Sequence, residues 1–168
     1  MRTAEYKADE DLVTHVYEQC WQKSKGRYNN WIPGRLNHFE FTFYLVLNAL
    51  ERTLMDGALA IVDHDDRFRK PATGFTLFAT AAAFEDLGLT SQAAGIRELS
   101  KIFPNGNVPE DRKQLDAYME QAHELNPEFL EQVHRLFVPS DEWQGVEQLI
   151  YRRLARYVRD NPDHFLGP

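Results

Sequence analysis

The chain has 168 residues, 43% of them hydrophobic and 27% charged, a length and composition that suit one domain with a sizeable buried core, residues 1–168. Its formal net charge of −7 argues against direct nucleic-acid binding, because a phosphate backbone attracts Lys and Arg; basic partners are favoured instead. The lone cysteine, Cys20, excludes an intrachain disulfide and fits a reducing compartment. Met1 to Asp11 is polar, unlike a signal peptide, and the longest apolar run, Phe43 to Leu47, falls far short of the ~20 residues that span a membrane. A cytoplasmic, non-membrane protein is expected.

Leu12, Val13, Val16, Tyr17, Cys20 and Trp21 recur at helical spacing, and Asp9, Glu10 and Asp11 before them suit the positive end of a helix dipole. Gly26 is a plausible stop, and Arg27 to Gly34 reads as a loop. Asn37 with Glu40 resembles a capping box. The helix it opens is apolar almost all round (Phe39, Phe43, Tyr44, Val46, Leu47, Leu50, Leu54), which marks it as central. The alternation Phe39 to Phe43 also suits a strand, but continuation at helical spacing through Met55 decides for helix. Ala58 to Val62 is a short helical turn before the polar loop Asp63-His64-Asp65-Asp66. Phe75 to Leu87 and Ser91 to Phe103 form a helical hairpin, with Gly88 ending the first helix and Thr90 capping the second. Small residues (Ala81 to Ala83, Ala93 to Gly95) allow these helices a close approach.

After the turn Pro104 to Asn107, Pro109 is expected in the first turn of the next helix. There Leu115, Tyr118, Met119 and Ala122 make the buried face, and Asp116, Glu120 and Glu124 fall opposite, one turn apart. Asn126-Pro127 caps and starts a further helix with Phe129, Val133, Leu136 and Phe137 inward. Pro139-Ser140 restarts the chain as a last long helix with Trp143, Val146, Ile150, Leu154 and Tyr157 buried. The fold class is all-α, about seven helices in one domain. Charge is uneven along this chain: residues 105–147 hold ten acids and three bases, a net of −7, so one quarter of the sequence carries the whole excess. A carboxylate row on a helix is ordinarily a solvated face.

Two metal leads arise from spacing. Glu120-Gln-Ala-His123 and Glu131-Gln-Val-His134 resemble the Glu-x-x-His motifs of di-iron bundles, yet both glutamates lie opposite their helices' apolar faces. Asp63 to Asp66 lacks the Gly and distal Glu of a calcium loop. No phosphate loop or nucleophile motif is present, so no cofactor is expected.

Gly74-Phe75, Phe84, Leu87-Gly88-Leu89, the run Phe103-Pro104-Asn105-Gly106-Asn107-Val108-Pro109-Glu110-Asp111-Arg112 and the closing Tyr157-Val158-Arg159-Asp160-Asn161-Pro162 resemble the family of small, all-helical bacterial DNA-mimic proteins; the mass of 19.6 kDa fits it too. Family members commonly carry a Gly pair where this chain has Thr73-Gly74. The resemblance implies a non-enzymatic regulator whose acidic surface occupies the DNA-binding site of a helix-turn-helix repressor and relieves repression. A generic acidic interaction scaffold is the rival. One acidic row is sparser than duplex phosphates, which carry one charge per about 1.7 Å of axis. Glu128, Glu131 and the loop residues Asp63, Asp65 and Asp66 are therefore expected to extend Asp116, Glu120 and Glu124. A two-fold homodimer would match the symmetry of such a repressor.

Overall fold

Phe43, Tyr44, Leu45, Val46, Leu47, Ala49 and Leu50 are each 3% exposed or less, so the helix that carries them, α2 (His38–Asp56), is wrapped on all sides. The computed structural model describes residues 4–26, 30–138 and 143–165. The expected capping box opens α2: Asn37 Oδ1 accepts from the Glu40 amide at 2.9 Å, and Glu40 Oε2 accepts from the Asn37 amide at 2.8 Å. Glu40 is itself buried and takes Lys23 Nζ at 2.7 Å, which ties the end of α1 (Ala4–Ser24) to the start of α2. Only an isolated bridge, Lys25 to Trp31, is extended pairing among the described residues, so Phe39 to Phe43 is helix rather than strand.

Seven described helices exceed one or two turns. Besides α1 and α2 they are α4 (Leu77–Asp86), α5 (Thr90–Ser100), α6 (Arg112–Leu125), α7 (Pro127–Phe137) and α8 (Trp143–Asp160), while α3 (Ala60–Asp63) and α9 (Pro162–Phe165) are short. Helix α1 lies along α8, α4 pairs with α5 and packs on α2, and α7 covers α5. Small residues decide one crossing differently from expectation. A Cβ on Gly95 would meet Leu136 Cβ and the Val133 carbonyl oxygen at 3.3 Å, so its missing side chain admits α7 onto α5 rather than α4.

Several boundaries differ from the sequence reading for local reasons. Helix α1 begins at Ala4 rather than near Leu12, because its buried stripe extends upstream through Tyr6 and Asp9, the latter held by Arg159 of α8 at 2.7 Å. Thr76, not Phe75, opens α4: its hydroxyl accepts from the Ala79 amide at 3.0 Å. Thr90 lies inside α5 and caps nothing; Leu89 stands at the cap with no side-chain bond. Pro109 lies outside α6, which Asp111 caps by accepting from the Gln114 amide at 2.9 Å. Asn126 likewise precedes α7 without a side-chain cap, and Leu54 is 37% exposed rather than buried. Pro139 and Ser140 lie outside the described residues.

At Thr73-Gly74, Gly74 has φ +78°, a left-handed value that glycine takes without strain. Thr73 before it donates to the Arg67 and Lys70 carbonyls at 2.8 and 2.7 Å, so its hydroxyl fastens the turn. Cys20 is 2% exposed, and burial, with Glu40 nearby, pushes its thiol up to about 12.

Two measurements check this architecture. Far-UV circular dichroism should be dominated by helix; a sheet content above roughly 15%, approaching the 20–25% usual in globular proteins, would overturn it. Cys20 should resist a thiol reagent at pH 8 in the native protein and react fully once unfolded, since the thiolate is the attacking species. Rapid labelling of the native protein would place that thiol at the surface.

Candidate partner-binding face

Helix α6 is amphipathic in the expected sense. Leu115 and Ala122 are buried, Tyr118 and Met119 half-buried, and Asp116, Glu120 and Glu124 exposed. Four residues apart, these carboxylates rise by about 6 Å each along the axis. Helix α7 follows directly, and its Glu128 and Glu131 are exposed as well. All five carboxylates are thus solvent-exposed, as charged side chains ordinarily are.

Arg112 joins this row to the loop after α3. Its Nη2 lies 2.5 Å from Asp63 Oδ1, its Nη1 donates to the Asp63 carbonyl at 3.0 Å, and its Nε lies 2.8 Å from Asp116 Oδ1. The bond to Asp63 raises the Arg112 guanidinium against the small cost of desolvation. Asp63 and Asp116 are thus neighbours across one cation. At the far end Arg135 pairs with Glu131 at 2.5 Å on the same helix. Exposed pairs of this kind contribute about 0.2–1 kcal/mol and exchange readily. Among the described residues Glu120, Glu124 and Glu128 make no ion pair, so the unopposed charge lies around the α6–α7 junction. Leu125, 66% exposed, sits between Glu124 and Glu128.

The Asp-rich loop does not extend the row as a block. Asp66 is exposed but paired with Arg69, whose hydrogen bond holds its carboxyl below the usual range. Asp65 is a correction: it is 5% exposed and points inward. Its Oδ1 and Oδ2 accept from Arg67 Nε and Nη2 at 2.7 and 2.6 Å, a two-pronged pair. Asp65 Oδ2 also accepts from Asn48 Nδ2 at 2.9 Å, while Arg67 donates to Tyr44 Oη at 3.0 Å. The guanidinium lies 4.1 Å from the Phe75 ring centre, 5.1 Å from that of Trp31 and 5.2 Å from that of Tyr44. Burial works against the charge of Arg67, but the bonds and attraction of Asp65 outweigh it and raise the guanidinium. No signal separated Asp65 from Asp63 and Asp66 in sequence except Arg67 two residues on, which is also present at many exposed loops.

The metal-motif histidines, His123 and His134, line one shallow groove with Glu131, Leu59 and Leu130. Among the described residues no group of three or more His, Cys, Asp or Glu is placed to hold a metal ion. No protein-family profile matches the chain, and comparison with curated proteins and with solved structures likewise finds no match. The family resemblance therefore rests on the motifs themselves.

The two kinds of carboxylate should respond very unequally to removal. Asp65→Ala leaves the Arg67 charge half-buried without its partner and should cost about 3–5 kcal/mol in urea unfolding. Glu120→Gln with Glu124→Gln should change stability by less than about 0.5 kcal/mol each. Equal effects from the two would contradict the division into clamp and face.

Proposed function

We propose that the protein is a DNA-mimic regulator: the α6–α7 face occupies the DNA-reading site of a helix-turn-helix repressor and lifts repression, without catalysis and without binding DNA itself. The observation that carries this reading is the run of unpaired, exposed carboxylates Glu120, Glu124 and Glu128 on two consecutive helices, flanked by Asp116 and Asp63 at one end and Glu131 at the other. A repressor draws much of its DNA affinity from Lys and Arg placed against phosphates. Carboxylates fixed on a helical scaffold offer those cations the same attraction with no bases to read. The internal partners Arg112 and Arg135 are exchangeable at the cost of a surface pair, so the partner's cations can displace them.

Size sets the stoichiometry. With 14 residues, α6 is about 21 Å long, whereas two reading heads lie about 34 Å apart. One copy masks one head, and a two-fold pair of copies masks both. The cytoplasm is the compartment in which such a partner is met.

The test is charge reversal. Asp116→Lys, Glu120→Lys and Glu124→Lys together should leave the helical spectrum and melting temperature nearly unchanged and abolish capture of the repressor from native cytoplasm. Affinity of the unaltered protein should fall steeply between 50 and 200 mM salt, the range in which phosphate contacts weaken. Unchanged binding by the folded triple variant, or indifference to salt, would make the row solvated decoration and favour a plain interaction scaffold docking through apolar contacts.

A further inference from the structure

The Asp65–Arg67 clamp also lines a cleft of 440 Å³ whose lining is the reverse in charge of the acidic face. Its walls are aromatic: Tyr17, Trp21, Trp31 and Tyr44 line it, with Tyr17 and Tyr44 stacked at 5.2 Å between ring centres. Lys25, Arg52 and Lys70 also line it, from three separate segments: the end of α1, the last turns of α2 and the turn after Arg69. With Arg67 they make four lining cations against one lining carboxylate, Asp65, while Glu51 stands near Arg52 and Asp66 near Lys70 outside the lining. Asp65 is already committed to Arg67 at 2.6 Å, and among the described side chains Lys25, Arg52 and Lys70 have no ion-pair partner. Trp31 Nε1 is buried without a hydrogen-bond partner, so an indole N–H in this wall lacks an acceptor.

Cations normally spread over a surface to reduce repulsion. Three unpaired ones converging on an aromatic concavity are what an anion with a flat body needs, and the volume lies within the range of about 300–1,000 Å³ typical of small-molecule sites. The number of cations selects the headgroup. A carboxylate offers one negative charge, whereas a phosphate monoester carries about −1.5 to −2 at neutral pH and three acceptor oxygens. The aromatic wall selects the body, because bases stack on such rings irrespective of sequence.

We propose that this cleft is a binding site for a small aromatic phosphate monoester, a nucleoside monophosphate being the type: its phosphate lies among Lys25, Arg52 and Lys70, and its ring lies against the half-buried Trp21 and Trp31. The site stands independently of the DNA-mimic reading, since it shares no residue with Asp116, Glu120, Glu124 or Glu128.

Adenosine monophosphate, adenosine and inorganic phosphate are the probes, titrated into the full chain carrying Trp143→Phe so that tryptophan fluorescence reports only Trp21 and Trp31. The nucleotide should give a saturable change below about 1 mM, and adenosine or phosphate alone should need at least about tenfold more. Arg52→Gln with Lys70→Gln should weaken the nucleotide about tenfold, the loss expected from charge-assisted contacts, at unchanged melting temperature. In the unaltered protein the indole N–H resonance of Trp31 should move on nucleotide addition and that of Trp143 should stay. The Lys triple variant of α6 should bind the nucleotide as the parent does. No saturable response, phosphate alone matching the nucleotide, or a Trp31 resonance that does not move would each overturn the proposal.

Discussion

Much of this molecule hangs on one buried ion pair between residues two apart in sequence. Asp65 and Arg67 form a two-pronged clamp that reaches Asn48 and Tyr44 on the central helix and stacks beneath Trp31 and Phe75. Such a pair gains little net stability over a well-packed apolar substitute, yet breaking it strands a charge. Its use is positional. It pins the segment between α3 and α4 to α2, and so fixes where that segment's other charges point.

The consequence is a division of charge within eight residues. Asp63 meets Arg112 at 2.5 Å beside α6, whose buried Leu115 and Ala122 set the direction of its carboxylate row. Arg67 and Lys70 line the aromatic cleft with Lys25 and Arg52. The chain's acidity is thus concentrated on α6 and α7, while part of its basicity is gathered around the cleft.

Much of the fold was legible because its determinants are local. The capping box at Asn37 and Glu40, the all-round apolar α2 and the one-sided stripe of α6 appear in sequence as they do in space. What escaped was whatever depends on a distant neighbour. Asp9 reads as an exposed helix-start acid until Arg159, 150 positions on, is seen to hold it. Gly95 reads as part of a hairpin contact until α7 is placed over it. Asp116, Glu120 and Glu124 were legible as an exposed row from spacing, since helical periodicity separates exposed from buried, whereas Glu128 and Glu131 were added because one row is too sparse; all five are exposed. Loops carry no such period, so Asp63, Asp65 and Asp66 were indistinguishable until their arginine partners were known.

The proposed DNA mimicry requires that the α6–α7 face and operator DNA compete for one surface of a repressor. The most direct measurement is a mobility-shift titration of this protein against a preformed complex of operator and the helix-turn-helix repressor captured with it from native cytoplasm. The account predicts that free operator is released in proportion to added protein, with no new slower band and no shift of operator by the protein alone. A stable ternary complex of operator, repressor and this protein would show that the two occupy different sites, and would contradict the account.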